Sequence, residues 1–241
     1  MVVKVDVKGR IPENAVLIEA FPSKGYVSTI AANILMKKLA MEQVGCITSD
    51  DMAGIVVVHE SKPVMPIRIY AKDDLVLILS EIIIPGPMLA DFSSAISDWI
   101  KKIKPRELIL LASMSGIEST EEHEIFWVAT EDHLSERVKK MERAKKLEEG
   151  VLTGISSSIM MECSGMKVPI LLLLVETHYT PDALAAATLL DIIGRLVGKT
   201  IDVDELKTAG KKIEKKYQEM LEQLKKGQQN YQDMASISMY R

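Results

Sequence analysis

Apolar runs of strand length recur along this chain, and segments with helical spacing separate most of them. The densest is Pro169 to Val175, Pro-Ile-Leu-Leu-Leu-Leu-Val. A second is Glu107 to Ala112, Glu-Leu-Ile-Leu-Leu-Ala. Runs like these have no polar face, so both faces must be covered. That is the pattern of a strand in the middle of a layered α/β sheet. None reaches the ~18 residues needed to span a membrane as a helix, so no membrane partner is expected.

The remaining elements follow from the same reading. Residues 14–21 form a short apolar strand ended by Pro22 and Gly25. Ile30, Ala31, Ile34, Leu35 and Leu39 then recur at helical spacing from Ser28 to Leu39. Residues 54–59, 66–71 and 75–81 read as strands with hairpin-like connections. Pro87 to Lys104 is a helix with Phe92, Ile96, Trp99 and Ile103 on its apolar face, and Pro105 stops it. Residues 113–124 read as an acidic surface loop and 125–130 as a strand. A charged helix is expected over 133–148, a short helix over 155–164, and a helix over 182–196 with Pro181 in its first turn. Met1 to Asp6 alternates like a strand, not like a secretory signal. The fold class is therefore an α/β layered sandwich with a mostly parallel central sheet.

Three units are expected: an α/β core over 1–203, an amphipathic helix over 204–226, and a flexible tail over 227–241. In the helix, Leu206, Ala209, Ile213, Tyr217, Met220, Leu221 and Leu224 recur three or four apart among Lys and Glu. So narrow a stripe suits packing on its own domain or pairing with another copy.

Composition narrows the partners. With a net charge of −4 and a pI near 5.7, no basic face dominates, which argues against nucleic acid. Cys46 and Cys163 lack metal-ligand spacing and read as buried thiols, consistent with a reducing cytoplasm.

Chemistry-bearing candidates are few. Phe21-Pro22-Ser23-Lys24-Gly25 lies between a strand and a helix, where α/β proteins hold ligands, and Lys24 could assist an anion there. It matches neither GxGxxG nor a P-loop, and a structural turn is the stronger reading. His59, His123, His133 and His178 have no second His or Cys at ligand spacing, so no metal is expected. Glu176 and His178 close a buried strand and form the most enzyme-like pair, although residues capping the next helix explain them equally. Cys163 could pair with His178 as nucleophile and base, with nothing local to support it. A phosphorylase- or hydrolase-like enzyme using Lys24, Glu176 and His178 is the alternative reading.

The chain ends Met239-Tyr240-Arg241, a hydrophobic residue, a tyrosine and a final residue. A partner can capture a terminal carboxylate with a lysine or backbone N–H groups. The tyrosine adds rigid apolar surface and one hydroxyl.

Three internal segments carry a family resemblance: Phe21 to Val27 leading into Ala31-Ala32-Asn33-Ile34-Leu35, Gly150 to Ile155, and Glu176 to Asp182 leading into Ala185-Ala186-Ala187. Together they resemble the proteasome-assembly chaperone family, in particular its archaeal homologues. Ser28 departs from the pattern, standing where many members have a second glycine. The resemblance implies a soluble, nucleoside-phosphorylase-like α/β fold without that activity. It implies no cofactor, no ATP requirement and a homo-oligomer. It also implies that tails ending hydrophobic-Tyr-any dock between α-subunits of the proteasome ring, which makes Met239, Tyr240 and Arg241 the partner-binding residues.

Overall fold

A computed structural model describes residues 2–226 apart from 53, 117–122, 142, 205, 207, 209, 216, 221, 224 and 225. Strands β1 (Val3–Val7), β2 (Val16–Ala20), β3 (Glu42–Ser49), β6 (Ile67–Lys72), β7 (Leu75–Ser80), β8 (Glu107–Ser115), β9 (Ile125–Ala129), β10 (Ala144–Lys146) and β11 (Ile170–Thr177) form one nine-stranded sheet. Their order is β1-β3-β6-β7-β2-β8-β11-β9-β10. The middle strands β7, β2, β8 and β11 pair in parallel, and both flanks bring antiparallel pairs. β4 (Val57–His59) and β5 (Lys62–Val64) form a separate two-stranded hairpin.

The parallel middle is where the apolar runs lie. All five residues of β2 and all six of β7 are buried, as are the first six of β11. Alternate side chains serve two cores. Val16, Ile18, Ile109, Leu171 and Leu173 face α1 (Val27–Lys38) and α5 (Ala183–Leu196). Leu17, Leu108, Leu110 and Leu172 face α2 (Leu89–Ile103) and α4 (Ile155–Cys163). α3 (Asp132–Lys139) packs Leu134 and Val138 on the first side. The result is a sheet between two helical layers.

Three elements differ from the sequence reading. β3 was not expected, because Glu42 and Gln43 open it and Gly45 interrupts its apolar pattern. Gly45 is needed there, since a side chain would collide with the Asp6 carbonyl of β1. The helix expected over 133–148 ends at Lys139; the chain turns and adds β10 parallel to β9. Pairing with the open edge of β9 outweighs the helix propensity of these lysines and glutamates. Of the strand expected over 54–59, only Val57–His59 is extended, and it joins the hairpin. Both outer strands of the sheet carry exposed charges, Lys4 and Asp6 on β1 and Lys145 and Lys146 on β10.

Helical backbone continues over the described residues between 204 and 223. Leu206 is buried in the first core, and Ile213 and Tyr217 pack against it. Glu214 Oε1 accepts from Ala183 N at 3.1 Å, at the start of α5. This helix therefore packs on its own domain up to Tyr217, running antiparallel to α5 toward the carboxyl ends of the parallel strands. No helix among the described residues is long and apolar enough to cross a membrane.

Candidate functional site

Because β7, β2, β8 and β11 run the same way, their carboxyl ends gather on one edge. The segments leaving β2 and β11, 21–26 and 178–182, meet there, and Gly116 after β8 lies against His178. Open α/β sheets bind ligands at this position.

Gly25 sets the local geometry. Its φ of 69° lies in the left-handed region, and a Cβ would overlap Thr177 Oγ1. Only glycine lets the turn after β2 approach the end of β11 so closely. Asp182 N then donates to Gly25 O at 2.9 Å, joining the two segments. Asp182 is buried and caps α5, accepting from Ala185 N at 2.9 Å. Its other oxygen accepts from the Thr177 hydroxyl at 2.8 Å and from His178 N at 3.2 Å. The expected helix start moves accordingly: Pro181 precedes the cap, and the Thr180–Pro181 bond is cis.

Lys24 Nζ donates to Ser115 Oγ at 2.6 Å on the neighbouring strand. A chain of hydroxyls lies beneath it. Ser113 Oγ contacts both the Lys24 carbonyl and Ser23 Oγ, the latter at 2.8 Å. Ser23 and Ser28 hydroxyls lie 2.9 Å apart, and Ser28 donates to Leu111 O at 3.1 Å. This accounts for serine at position 28: its hydroxyl closes the chain.

His178 stacks on His123, with ring centroids 5.3 Å apart, and lies over Gly116, where any side chain would strike its ring. His123 Nε2 sits 3.6 Å from Asp182 Oδ1, and its Nδ1 bonds the Glu176 carbonyl at 3.1 Å. Lys24 and His178 thus share one edge, linked through Ser115 and Gly116. The Glu176 carboxylate does not join them. Neighbouring side chains on a strand alternate faces, so Glu176 points away from the side that Val175 and Thr177 occupy. Cys163 lies in the other helical layer, its thiol 3.5 Å from Ser97 Oγ. Among the described residues, no group of three His, Cys, Asp or Glu could hold a metal.

A second polar cluster occupies the same edge beyond β7. Buried Arg68 pairs with buried Glu81 at 2.5 Å, and His59 Nε2 of the hairpin reaches both Glu81 oxygens at 2.9 Å. Tyr217 of the last helix lies near this pair, its hydroxyl accepting from Asn33 Nδ2 at 2.9 Å. Burial and the Glu81 charge push the Tyr217 phenol up, so it stays protonated. One more buried acid lies within the sheet. Glu19 of β2 is fully buried and held at about 7 by desolvation, although Phe21 N donates to its Oε1 at 3.0 Å.

The sequence signals for these clusters were charges inside apolar runs, Glu19 in Val-Leu-Ile-Glu-Ala and Arg68 in Ile-Arg-Ile-Tyr. Met239, Tyr240 and Arg241 lie outside the described residues.

Comparison with known proteins supplies the frame. An uncharacterised protein of Methanocaldococcus jannaschii is 26% identical over 212 residues, 88% of this chain and 87% of that protein. The structure of Pyrococcus furiosus PbaA, an archaeal homolog of proteasome-assembly chaperone, superposes with a TM-score of 0.84 at 27% identity, covering 94% of this chain and 99% of PbaA. Pyrococcus furiosus PbaB, an archaeal proteasome activator, shares the fold at a TM-score of 0.72 and 20% identity, over 92% of this chain and 98% of PbaB. The PAC2 family model matches residues 17–221, most of the α/β core and the last helix, and the chain belongs to the PAC2 family.

Proposed function

We propose that this protein is a non-enzymatic, ATP-independent chaperone or activator of the proteasome. It acts as a homo-oligomer whose Met239-Tyr240-Arg241 endings enter pockets of the α-ring. The likeness to PbaA over nearly the whole chain carries this reading, and the hydrophobic-Tyr-any ending supplies its chemistry. The carboxyl edge adds support. Its serine hydroxyls bond one another, and Asp182 is spent on capping α5. The Glu176 carboxylate faces away from Lys24 and His178, so these three do not converge on one point.

A single ending binds weakly, because ordering a chain segment offsets much of its contact energy. Several endings on one assembly raise the effective concentration, with an avidity gain of ~10²–10⁴. Deleting Met239–Arg241 should abolish co-elution with isolated α-rings. Adding one residue after Arg241 should do the same while keeping every side chain, because it moves the carboxylate. Unchanged co-elution in both variants overturns the reading.

A further inference from the structure

The link between β1 and β2 takes a long course. β3, β6 and β7 lie between these two strands in the sheet, so residues 8–15 must pass beneath all of them. They do so at the edge opposite the carboxyl ends of the parallel strands, where β3 and β7 start and β6 ends. This strap is pinned at both ends. Lys8 N and Gly9 N donate to Val44 O at 2.8 and 2.9 Å, and Arg106 N donates to Ala15 O at 2.7 Å. A Cβ on Gly9 would strike the Val44 side chain, so the strap lies directly on β3 there.

Between the strap and the strand ends is a cavity of about 750 Å³. Small-molecule sites fall within roughly 300–1,000 Å³. Buried Val44 and Ala71, with half-buried Pro12, supply its apolar lining. Its charged lining comes from three separate segments: Arg10 and Glu13 on the strap, Glu42 on β3 and Lys72 on β6. All four are exposed, and among the described residues none of these side chains makes a hydrogen bond or an ion pair. Asp73 also borders the cavity, but its carboxylate is engaged by Lys199 at 3.0 Å. Two cations and two carboxylates thus face one space without neutralising each other.

We propose that this cavity binds a short peptide with free ends, its ammonium held by Glu13 and Glu42 and its carboxylate by Arg10 and Lys72. The mixture of signs selects this class of ligand. A purely anionic molecule would meet Glu13 and Glu42, and a purely cationic one Arg10 and Lys72. A guanidinium can hold a carboxylate through two parallel hydrogen bonds, which suits Arg10 to the peptide's carboxyl end. A three-residue peptide spans at most about 10 Å, a length that a cavity of this volume accommodates. Small apolar side chains would rest on Val44 and Ala71. Ion pairs exposed to water are individually weak, so a dissociation constant of about 1 mM is expected. The site lies at the far edge of the sheet from Lys24 and His178, and it does not depend on tail docking.

The test is calorimetric titration of the full chain with Ala-Ala-Ala at low salt. Binding should saturate and should weaken as salt is added. N-acetyl-Ala-Ala-Ala-amide, which lacks both end charges, should bind roughly tenfold more weakly. Putrescine and glutarate, each with charges of one sign only, should also bind more weakly than the free peptide. Arg10→Ala and Glu42→Gln should each weaken peptide binding roughly fivefold, with unchanged circular dichroism because both side chains are exposed. Absence of saturable binding by the free peptide overturns the proposal. So does equal binding of the blocked peptide or of either single-sign ligand, or unchanged binding by both variants. Deleting Met239–Arg241 should leave peptide binding unchanged, which separates failure of this site from failure of tail docking.

Discussion

Asn33 Nδ2 donates to the Tyr217 hydroxyl at 2.9 Å, a bond that spans 184 residues and ties the last helix to the first. The same Nδ2 group reaches Thr29 O at 3.1 Å, within its own helix turn. Asn33 therefore serves two helices at once, and Tyr217 is the point where the last helix is fastened.

Tyr217→Phe should lower stability by about 1 kcal/mol, the net worth of one hydrogen bond. Tyr217→Ala should cost about 3 kcal/mol or more, because it also removes a large packed ring. Urea midpoints measure both. Amide exchange over 210–220 should quicken more than exchange in β2. Equal urea midpoints for wild type and Tyr217→Ala would show that the helix is not fastened here.

Glu19 should make stability fall as pH rises. Its folded value of about 7 lies above the ordinary carboxylate value, because burial disfavours the charge. Between about pH 4.5 and 7 the unfolded chain gives up this proton while the folded chain keeps it. The contribution is fully present below that window and lost above it, on the order of 3 kcal/mol. Glu19→Gln should flatten this slope and be the more stable protein at pH 8. Urea denaturation of both proteins across the window checks it, and parallel curves would rule it out.

Gly25→Ala should destabilise by about 1–3 kcal/mol, since it combines a left-handed backbone with a clash at Thr177. Gly86→Ala is the matched control. It has open space around it, so it should be neutral or slightly stabilising. Thermal melts of the pair give the comparison. Equal melting temperatures would mean that the 21–26 turn can relax away from β11.

How far the sequence reaches depends on what each residue must satisfy. Strands such as β2, β8 and β11 are legible because both faces need apolar cover, and that requirement is written in consecutive residues. β3 and β10 are not, because their pairing is set by a neighbour's open edge and tolerates polar side chains. Lys24 and His178 could be placed at the carboxyl edge from strand direction alone. Ser115 and Gly116 could not, because their contacts depend on the β8–β11 register, which brings Ser115 opposite Thr177. Glu81 follows β7 without any local sign of Arg68, thirteen residues earlier, as its partner.

The charged strands at the two ends of the sheet limit how this protein can associate. Lys4 and Asp6 at one end, and Lys145 and Lys146 at the other, would each have to shed water before another sheet could join. End-to-end growth has no favourable step, so the population should hold particles of countable size and no fibres.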